Sequence, residues 1–528
     1  MTTGHSNIDA QIEASLLRIN EIEKSLWASA PNDHPLPNPL PLAGEGVLEQ
    51  YHAAYQQLEQ LIATKENDKR HEFIIVIPVA DRPQHLHSCL DSLLHLCKVF
   101  GYGGYADNRF QKVSVIIADD SKDAVSISKN KAIASECNKL GLVTLYFGQD
   151  EQLDQMDALS EAEKNALSRI LGTINEEDFY HKGASIMRNI AYLELNKILG
   201  SDEKVLFYFI DSDQEFQLKV NTANGDKNLY ACNYFFNLDR ILSTTDTAIL
   251  TGKVVGDPPV SPAVMAGNFL DDVIGFLQQM AAYEPSHSCQ FHSAQLHAED
   301  TSYHDMPELL GFKPGNASCQ YLCHIKEAHD NARCFKHFSN ELNRFFYGEH
   351  PTRKTYYQHE DILASVHPAR TIYSGNYIFR PAALKYFIPF APLKLRMAGP
   401  MLHNRTLHET GKSEFRAGIS DDISTVDLSG EFERQFYGDV MLFSIEKLTD
   451  RGYPKQALST ELIAETVAAT HTNILQQYNL KRQAIAKKLD VLKILFDDQQ
   501  HWWQQSANAE SMHNFKIFIT NIEHNSIG

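Results

Sequence analysis

Apolar positions along this chain fall into two periods. Short unbroken runs rich in β-branched and aromatic residues, Phe73-Ile-Ile-Val-Ile77, Val113 to Ala118, Leu142 to Phe147 and Val205 to Ile210, predict strands buried on both faces. Between the first two lies an amphipathic run, Leu86 to Phe100, and a helical stretch precedes the third. Strand, helix, strand, helix, strand predicts an α/β fold with a mostly parallel, Rossmann-like sheet and right-handed crossovers. A further strand is expected over Thr247–Val255, and helices over Leu238–Leu242 and Asn268–Tyr283.

Elsewhere the spacing is helical. Residues 8–30 and 46–67 carry it on either side of a break at Pro31, Pro35, Pro37, Pro39 and Pro41, which no helix crosses. An acidic helical insert is expected over Glu151–Leu171, and a long C-terminal helical stretch over Glu461–His501. The organisation read from this is an N-terminal helical extension (1–70), an α/β core (71–283), an insert rich in His and Cys (284–368), the remainder of the core (369–455) and a C-terminal helical region (456–528).

Composition narrows the function. The 528 residues are 43% hydrophobic and 22% charged, ordinary for a soluble globular protein. The net charge of −19 argues against nucleic acid as partner, because affinity for a phosphate backbone comes from clustered Lys and Arg. No basic segment followed by an apolar run opens the chain, and no stretch of about 18 apolar residues occurs. A cytoplasmic location without a transmembrane segment is therefore expected, and the eight cysteines read as reduced thiols.

The chemistry gathers where strands stop. Asp211-Ser212-Asp213 follows the apolar run 205–210 directly, at the carboxyl end of a strand, where open α/β sheets bind ligands. Two carboxylates there suit a hard divalent cation that keeps several waters and bridges to phosphate oxygens. The plainer reading is a turn, since Asp and Ser also end strands by bonding their own backbone. Upstream, His181-Lys182-Gly183-Ala-Ser185 leads into a helix carrying Arg188-Asn189, whose N-terminal amides suit a diphosphate. In the insert, Cys319, Cys323, Cys334 and His337 would supply four zinc ligands, but their spacing matches no strong zinc pattern and Cys is often a small buried hydrophobe.

Five motifs occur in order: a strand plus Pro78-Val-Ala-Asp81-Arg82-Pro83, a strand plus Asp119-Asp120-Ser121, Lys182-Gly183-x-Ser185-x-x-Arg188-Asn189, a strand plus Asp211-x-Asp213, and Ser374-Gly375-Asn376. In these, over about 71–275 and again 370–445, the chain resembles GT-A glycosyltransferases of the family 2 type and retaining relatives such as mannosylglycerate and glucosylglycerate synthases. The resemblance implies a metal-dependent hexosyltransferase moving a sugar from a nucleotide-sugar donor to a small hydroxyl or glycan acceptor, with 284–368 and 369–455 on the acceptor side. It implies base and ribose contacts at Pro78, Asp81, Arg82, Asp119 and Asp120, and donor contacts at Lys182, Gly183, Arg188, Asn189, Ser212, Gly375 and Asn376. It further implies Mn²⁺ or Mg²⁺ on Asp211 and Asp213, with His403 or His408 completing the shell.

Inverting members keep a Glu-Asp base after the Gly-Asn strand. Here the nearest carboxylates are Asp421, Asp422 and Asp439; a retaining enzyme would need none. Two other functions stand beside this one. A sugar nucleotidyltransferase would carry a Gly-rich basic loop after the first strand, and Pro78–Pro83 lacks the glycines. A catalytically silent binding or scaffold protein is the other: the intact Asp-Ser-Asp argues against it, and the missing Glu-Asp argues for it.

Overall fold

The computed structural model describes residues 2–27, 44–65, 68–171, 179–198, 204–222, 225–255, 262–291, 327–343, 366–369, 375–386, 404–412, 458–498 and 509–526, with single residues and pairs within 321–325, 357–363 and 436–448. In chain order the elements are α1 (Thr2–Leu26), α2 (Gly44–Ala63), β1 (Glu72–Val79), α3 (Pro83–Phe100), β2 (Tyr105–Ala106), β3 (Arg109–Phe110), β4 (Val113–Asp119), α4 (Ala124–Lys139), β5 (Val143–Phe147), α5 (Gln149–Asp157) and α6 (Glu161–Leu171). There follow α7 (Ala184–Ile198), β6 (Val205–Ile210), β7 (Gln214–Glu215), β8 (Leu218–Thr222), β9 (Gly225–Leu229), α8 (Tyr234–Thr244), β10 (Ile249–Val255) and α9 (Pro262–Ala281). The last are α10 (Asn331–Leu342), β11 (His367–Ala369), β12 (Asn376–Phe379), β13 (Asn404–Lys412), α11 (Thr460–Asp498) and α12 (Ala509–Ser526).

One central sheet runs β11-β13-β10-β12-β6-β1-β4-β5, with β7 pairing on β13. Strands β5, β4, β1 and β6 are mutually parallel. β12 lies antiparallel between β6 and β10, and β13 runs parallel to β10, so the sheet is mostly parallel. Period-two alternation explains why the strand runs are apolar throughout. Phe73, Ile75 and Ile77 of β1, Val115 and Ile117 of β4, and Leu206 and Tyr208 of β6 face one hydrophobic layer, shared with α3, α4 and α8. Val76, Ile116, Phe207 and Phe209 face the other, with residues of α5, α6 and α7. Pro83 opens α3, and Gly101, at φ 68°, closes it with its N–H on the Cys97 carbonyl.

The N-terminal helices, expected from the sequence as a helical extension, share their hydrophobic core with the sheet. Ile19 and Leu26 of α1 and Leu48, Tyr51, Tyr55 and Leu58 of α2 belong to the same buried cluster as β1 and α3. Tyr51, Tyr55 and Leu58 recur at i, i+4 and i+7, which puts one stripe of α2 against the sheet module. Both tyrosines meet Phe100 edge to face, and Tyr55 meets Phe236 of α8. A charged knot secures the link: Arg70 donates to both oxygens of Glu59 at 2.6 and 2.7 Å and to Asp68 at 2.8 Å, and lies 4.7 Å over the Tyr102 ring.

Burial alone would raise the Asp68 pKa, but hydrogen bonds and charge from Arg70 outweigh it and hold the group below its ordinary value of 3.8. Stability from Asp68 is therefore complete above that ordinary value and is lost as pH falls through the folded-state pKa. Asp68→Asn is expected to cost about 1 kcal/mol at neutral pH, with the gap closing in acid. Urea midpoints of both proteins from neutral pH downward check this; a gap independent of pH removes the ion pair as its source.

A second apolar cluster lies apart from the sheet. It joins Phe269, Phe276 and Leu277 of α9 to Cys289, Phe291, Tyr321 and Cys323, to Cys334, Phe335 and Phe338 of α10, to Leu489 and Leu492 of α11 and to Phe515 and Phe518 of α12. The described part of the insert thus packs with the C-terminal helices as one module. Among the described residues, no helix is long and apolar enough to cross a membrane.

Candidate active site

The carboxyl end of β6 brings three of the sequence motifs together. β12 pairs with β6 so that Asn376 lies opposite Ile210, and the Asp211 N–H donates to the Gly375 carbonyl at 3.0 Å. The Asp-Ser-Asp and Gly-Asn segments, far apart in the chain, are thereby side by side. Arg188 reaches over from α7, and its Nη2 donates to Asp211 Oδ1 at 3.2 Å. Burial on its own would lower the Arg188 pKa, but the neighbouring Tyr377, Asp211 and Tyr192 raise it, so the guanidinium stays charged.

Asp211 keeps 41% of its side chain exposed and Asp213 is half-buried, whereas Ser212 and Asn376 are buried. Behind them Tyr192 and Tyr377 share a 2.7 Å hydroxyl contact, and burial pushes the Tyr192 hydroxyl up to about 12. The buried Cys89 thiol is raised by burial first and then by Glu215, Asp213 and Asp211, a sign of concentrated negative charge at this strand end.

The ends of β1 and β4 form a second cluster, tied mainly to itself. Asp119 Oδ2 accepts from Asn130 at 2.9 Å and from the Tyr146 hydroxyl at 2.8 Å, while Oδ1 accepts the Ser121 N–H at 2.9 Å. Asp119 is 3% exposed and so is committed to packing, not offered to a ribose. Asp120 pairs with Lys182 at 2.6 Å, both side chains 7% exposed, and accepts the Gly183 N–H at 3.2 Å. The sequence pattern offered Lys182 and the amides before α7 to a diphosphate. In the structure the protein's own Asp120 carboxylate takes both, since a buried anion needs this cation and this donor as much as a ligand would. Gly183, at φ 91°, makes the turn that brings its N–H round.

Asp81 stitches loops together: its Oδ1 accepts the N–H groups of Lys122 and Asp123 at 3.0 and 2.9 Å, and its Oδ2 meets His181 Nε2 at 2.5 Å. Asp81 and His181 both have positive φ, 52° and 47°, a conformation costly to non-glycine residues and concentrated at functional sites. His181, half-exposed, had no role in the sequence reading; only its place before Lys182-Gly183 marked it. Pro78 lies within β1, opposite Ala118, and Arg82 is exposed at the start of α3.

Other expected residues go elsewhere. Asn189 is buried and donates to the Ile170 carbonyl at 2.7 Å, which makes it a packing residue. Asp439 is buried and accepts from the Tyr478 hydroxyl of α11 at 2.6 Å, so among the described residues this carboxylate is engaged in packing and is not assigned as the base. His408 lies on β13, a strand that the sequence reading did not assign. His403, Asp421 and Asp422 lie outside the described residues.

No family model matches the chain, and no curated protein does. Similar solved structures are Staphylococcus aureus TarS (12% identity, TM-score 0.28, covering 85% of this chain) and the Pyrobaculum calidifontis mannosyltransferase PcManGT in complex with GDP-Man and Mn²⁺ (8%, 0.29, 96% of this chain and 98% of that one). A third is apo mouse xyloside xylosyltransferase 1 (11%, 0.20, covering 37% of this chain and 56% of that one). The chain spans 55% of the length of that TarS structure. Likenesses this loose do not bear on function. The chain's own topology is α/β with a mostly parallel, Rossmann-like sheet and helices at both termini, the GT-A-like architecture that the motif order implied.

Proposed function

We propose that this protein is a metal-dependent glycosyltransferase that moves a sugar from a nucleotide-sugar donor to a hydroxyl acceptor. The observation that carries the reading is the 3.0 Å bond from the Asp211 N–H to the Gly375 carbonyl, which sets the Asp-Ser-Asp turn against the Gly-Asn strand at the carboxyl end of a parallel sheet. Asp211 and Asp213 fit a hard divalent ion, Mn²⁺ or Mg²⁺: both offer carboxylate oxygen, and Asp211 is substantially open. When bound, such an ion supplies positive charge for the leaving nucleoside diphosphate.

The chain's own residues do the positioning. Arg188 holds the Asp211 carboxylate from one side and fixes its orientation. Gly375, without a side chain, and the buried Asn376 close the floor beside it. The turn 179–183 is clamped to the end of β4 by Asp120, through its bond to Gly183, its pairing with Lys182 and its carbonyl's 3.0 Å contact with the His181 N–H. With Lys182 so engaged, it is not assigned to the diphosphate.

Calorimetric titration with a panel of nucleoside-diphosphate sugars tests the proposal. At least one is expected to bind with Mn²⁺ present and not after chelation. Absence of binding across the panel, or turnover of a nucleoside triphosphate with a sugar phosphate, rejects it.

A further inference from the structure

In the module built on α9, α10, α11 and α12, the thiols of Cys289, Cys323 and Cys334 and a ring nitrogen of His329 lie within 4.8 Å of one another, the one such convergence of three or more His, Cys, Asp or Glu groups among the described residues. We propose that these four side chains hold a single structural zinc ion. Cys323 and His329 already approach to 3.2 Å between Sγ and Nε2. Zinc bonds of about 2.3 Å to sulfur and 2.0–2.1 Å to nitrogen place tetrahedral ligands roughly 3.3–3.8 Å apart, so the set closes on an ion with small movements.

The surroundings orient the ligands. His329 Nδ1 donates to the Glu327 carbonyl at 2.7 Å, which fixes the tautomer and leaves the Nε2 lone pair facing the thiols. The Cys289 N–H donates to the His329 carbonyl at 3.0 Å, beside a short bridge between Ser288 and Asp330. Cys334 sits in the first turn of α10, behind its Asp330 cap. Four protein ligands leave no position for water, which makes this a closed, structural site.

The assignment changes the set that spacing suggested. Cys323 and Cys334 stay; Cys289, which precedes the other ligands by a long stretch of chain, and His329 join them in place of His337, while Cys319 lies outside the described residues. The ligand run Cys323-x5-His329-x4-Cys334 has no two ligands in a short Cys-x2-Cys step, so it escapes the usual pattern. Its effect is to fasten the loop before Phe291, the segment at Tyr321 and the start of α10 into the aromatic cluster built on Phe276 and Phe338.

Metal analysis of the full-length, tag-free protein is the test, with about one zinc per chain expected. Stripping and refilling with Co²⁺ is expected to give the visible bands of a tetrahedral thiolate site, and stripping alone to lower the melting temperature of this module. Cys323→Ser and Cys334→Ser are expected to lose the metal. His329→Cys, which keeps four ligands, is expected to retain it, as is His337→Ala. The proposal fails if the protein carries no zinc as isolated and takes up neither Zn²⁺ nor Co²⁺. It fails equally if intact mass shows a disulfide among these cysteines, or if His337→Ala empties the site and His329→Ala does not.

Discussion

Asp213→Ala is expected to lower glycosyl transfer at least about a hundredfold while the protein melts as the parent does. The size follows from charge: ions and fixed donors facing a developing negative charge account for about 10²–10³ in rate when one is removed. The selectivity follows from position. Asp213 is half-buried in the turn after β6, where backbone bonds run from the Asp211 N–H to the Gly375 carbonyl and from the Gln214 N–H to the Asp211 carbonyl. Both bonds run backbone to backbone, so truncating the Asp213 side chain removes neither of them. Initial rates at saturating Mn²⁺, with thermal melts alongside, decide it. Activity within a few-fold of the parent, or a collapse of the fold, contradicts the metal assignment.

Lys182→Met is expected to destabilise the sheet module by about 3–5 kcal/mol, because it strands the Asp120 carboxylate in a nearly dry site. Both partners are 7% exposed and 2.6 Å apart, and the methionine stem fills the volume but brings no charge. Adding Asp120→Asn to Lys182→Met is expected to restore most of the loss, since the double change removes both charges together. Urea unfolding of the two single variants and the double variant measures the coupling. If Lys182→Met leaves stability unchanged and weakens donor binding instead, Lys182 belongs to the ligand and the clamp described above is wrong.

These two cases show what a one-dimensional pattern reveals and what it hides. The strands β1, β4, β5 and β6 announce themselves because a sheet covered on both faces needs apolar residues at every position. β13 gives no such signal: Asn404 to Lys412 holds a single apolar side chain, Leu407, and its ladders with β10 and β11 make it a strand. The acidic stretch 151–171 reads as one helix but is two, α5 and α6, parted after Asp157. At the site, spacing could mark Asp211 as a carboxylate where one strand ends and Gly375 as a side-chain-free position where another begins, but the contact between them is a matter of strand order. Lys182 and Asp120 show the opposite failure. Each looks like a ligand contact in sequence, and only three dimensions reveal that they satisfy each other. Zinc spacing failed for a similar reason, since Cys289 reaches its companions through tertiary packing.

The joint core of the N-terminal helices and the sheet has a cost during synthesis. α2 leaves the ribosome with Tyr51, Tyr55 and Leu58 uncovered, and one of their partners, Phe236 in α8, follows ~180 residues later. At roughly 5–20 residues per second, that interval is about ten to forty seconds, long on the scale of hydrophobic collapse. The nascent chain therefore presents a sticky aromatic stripe for most of that time, which makes it a natural client for holdase chaperones.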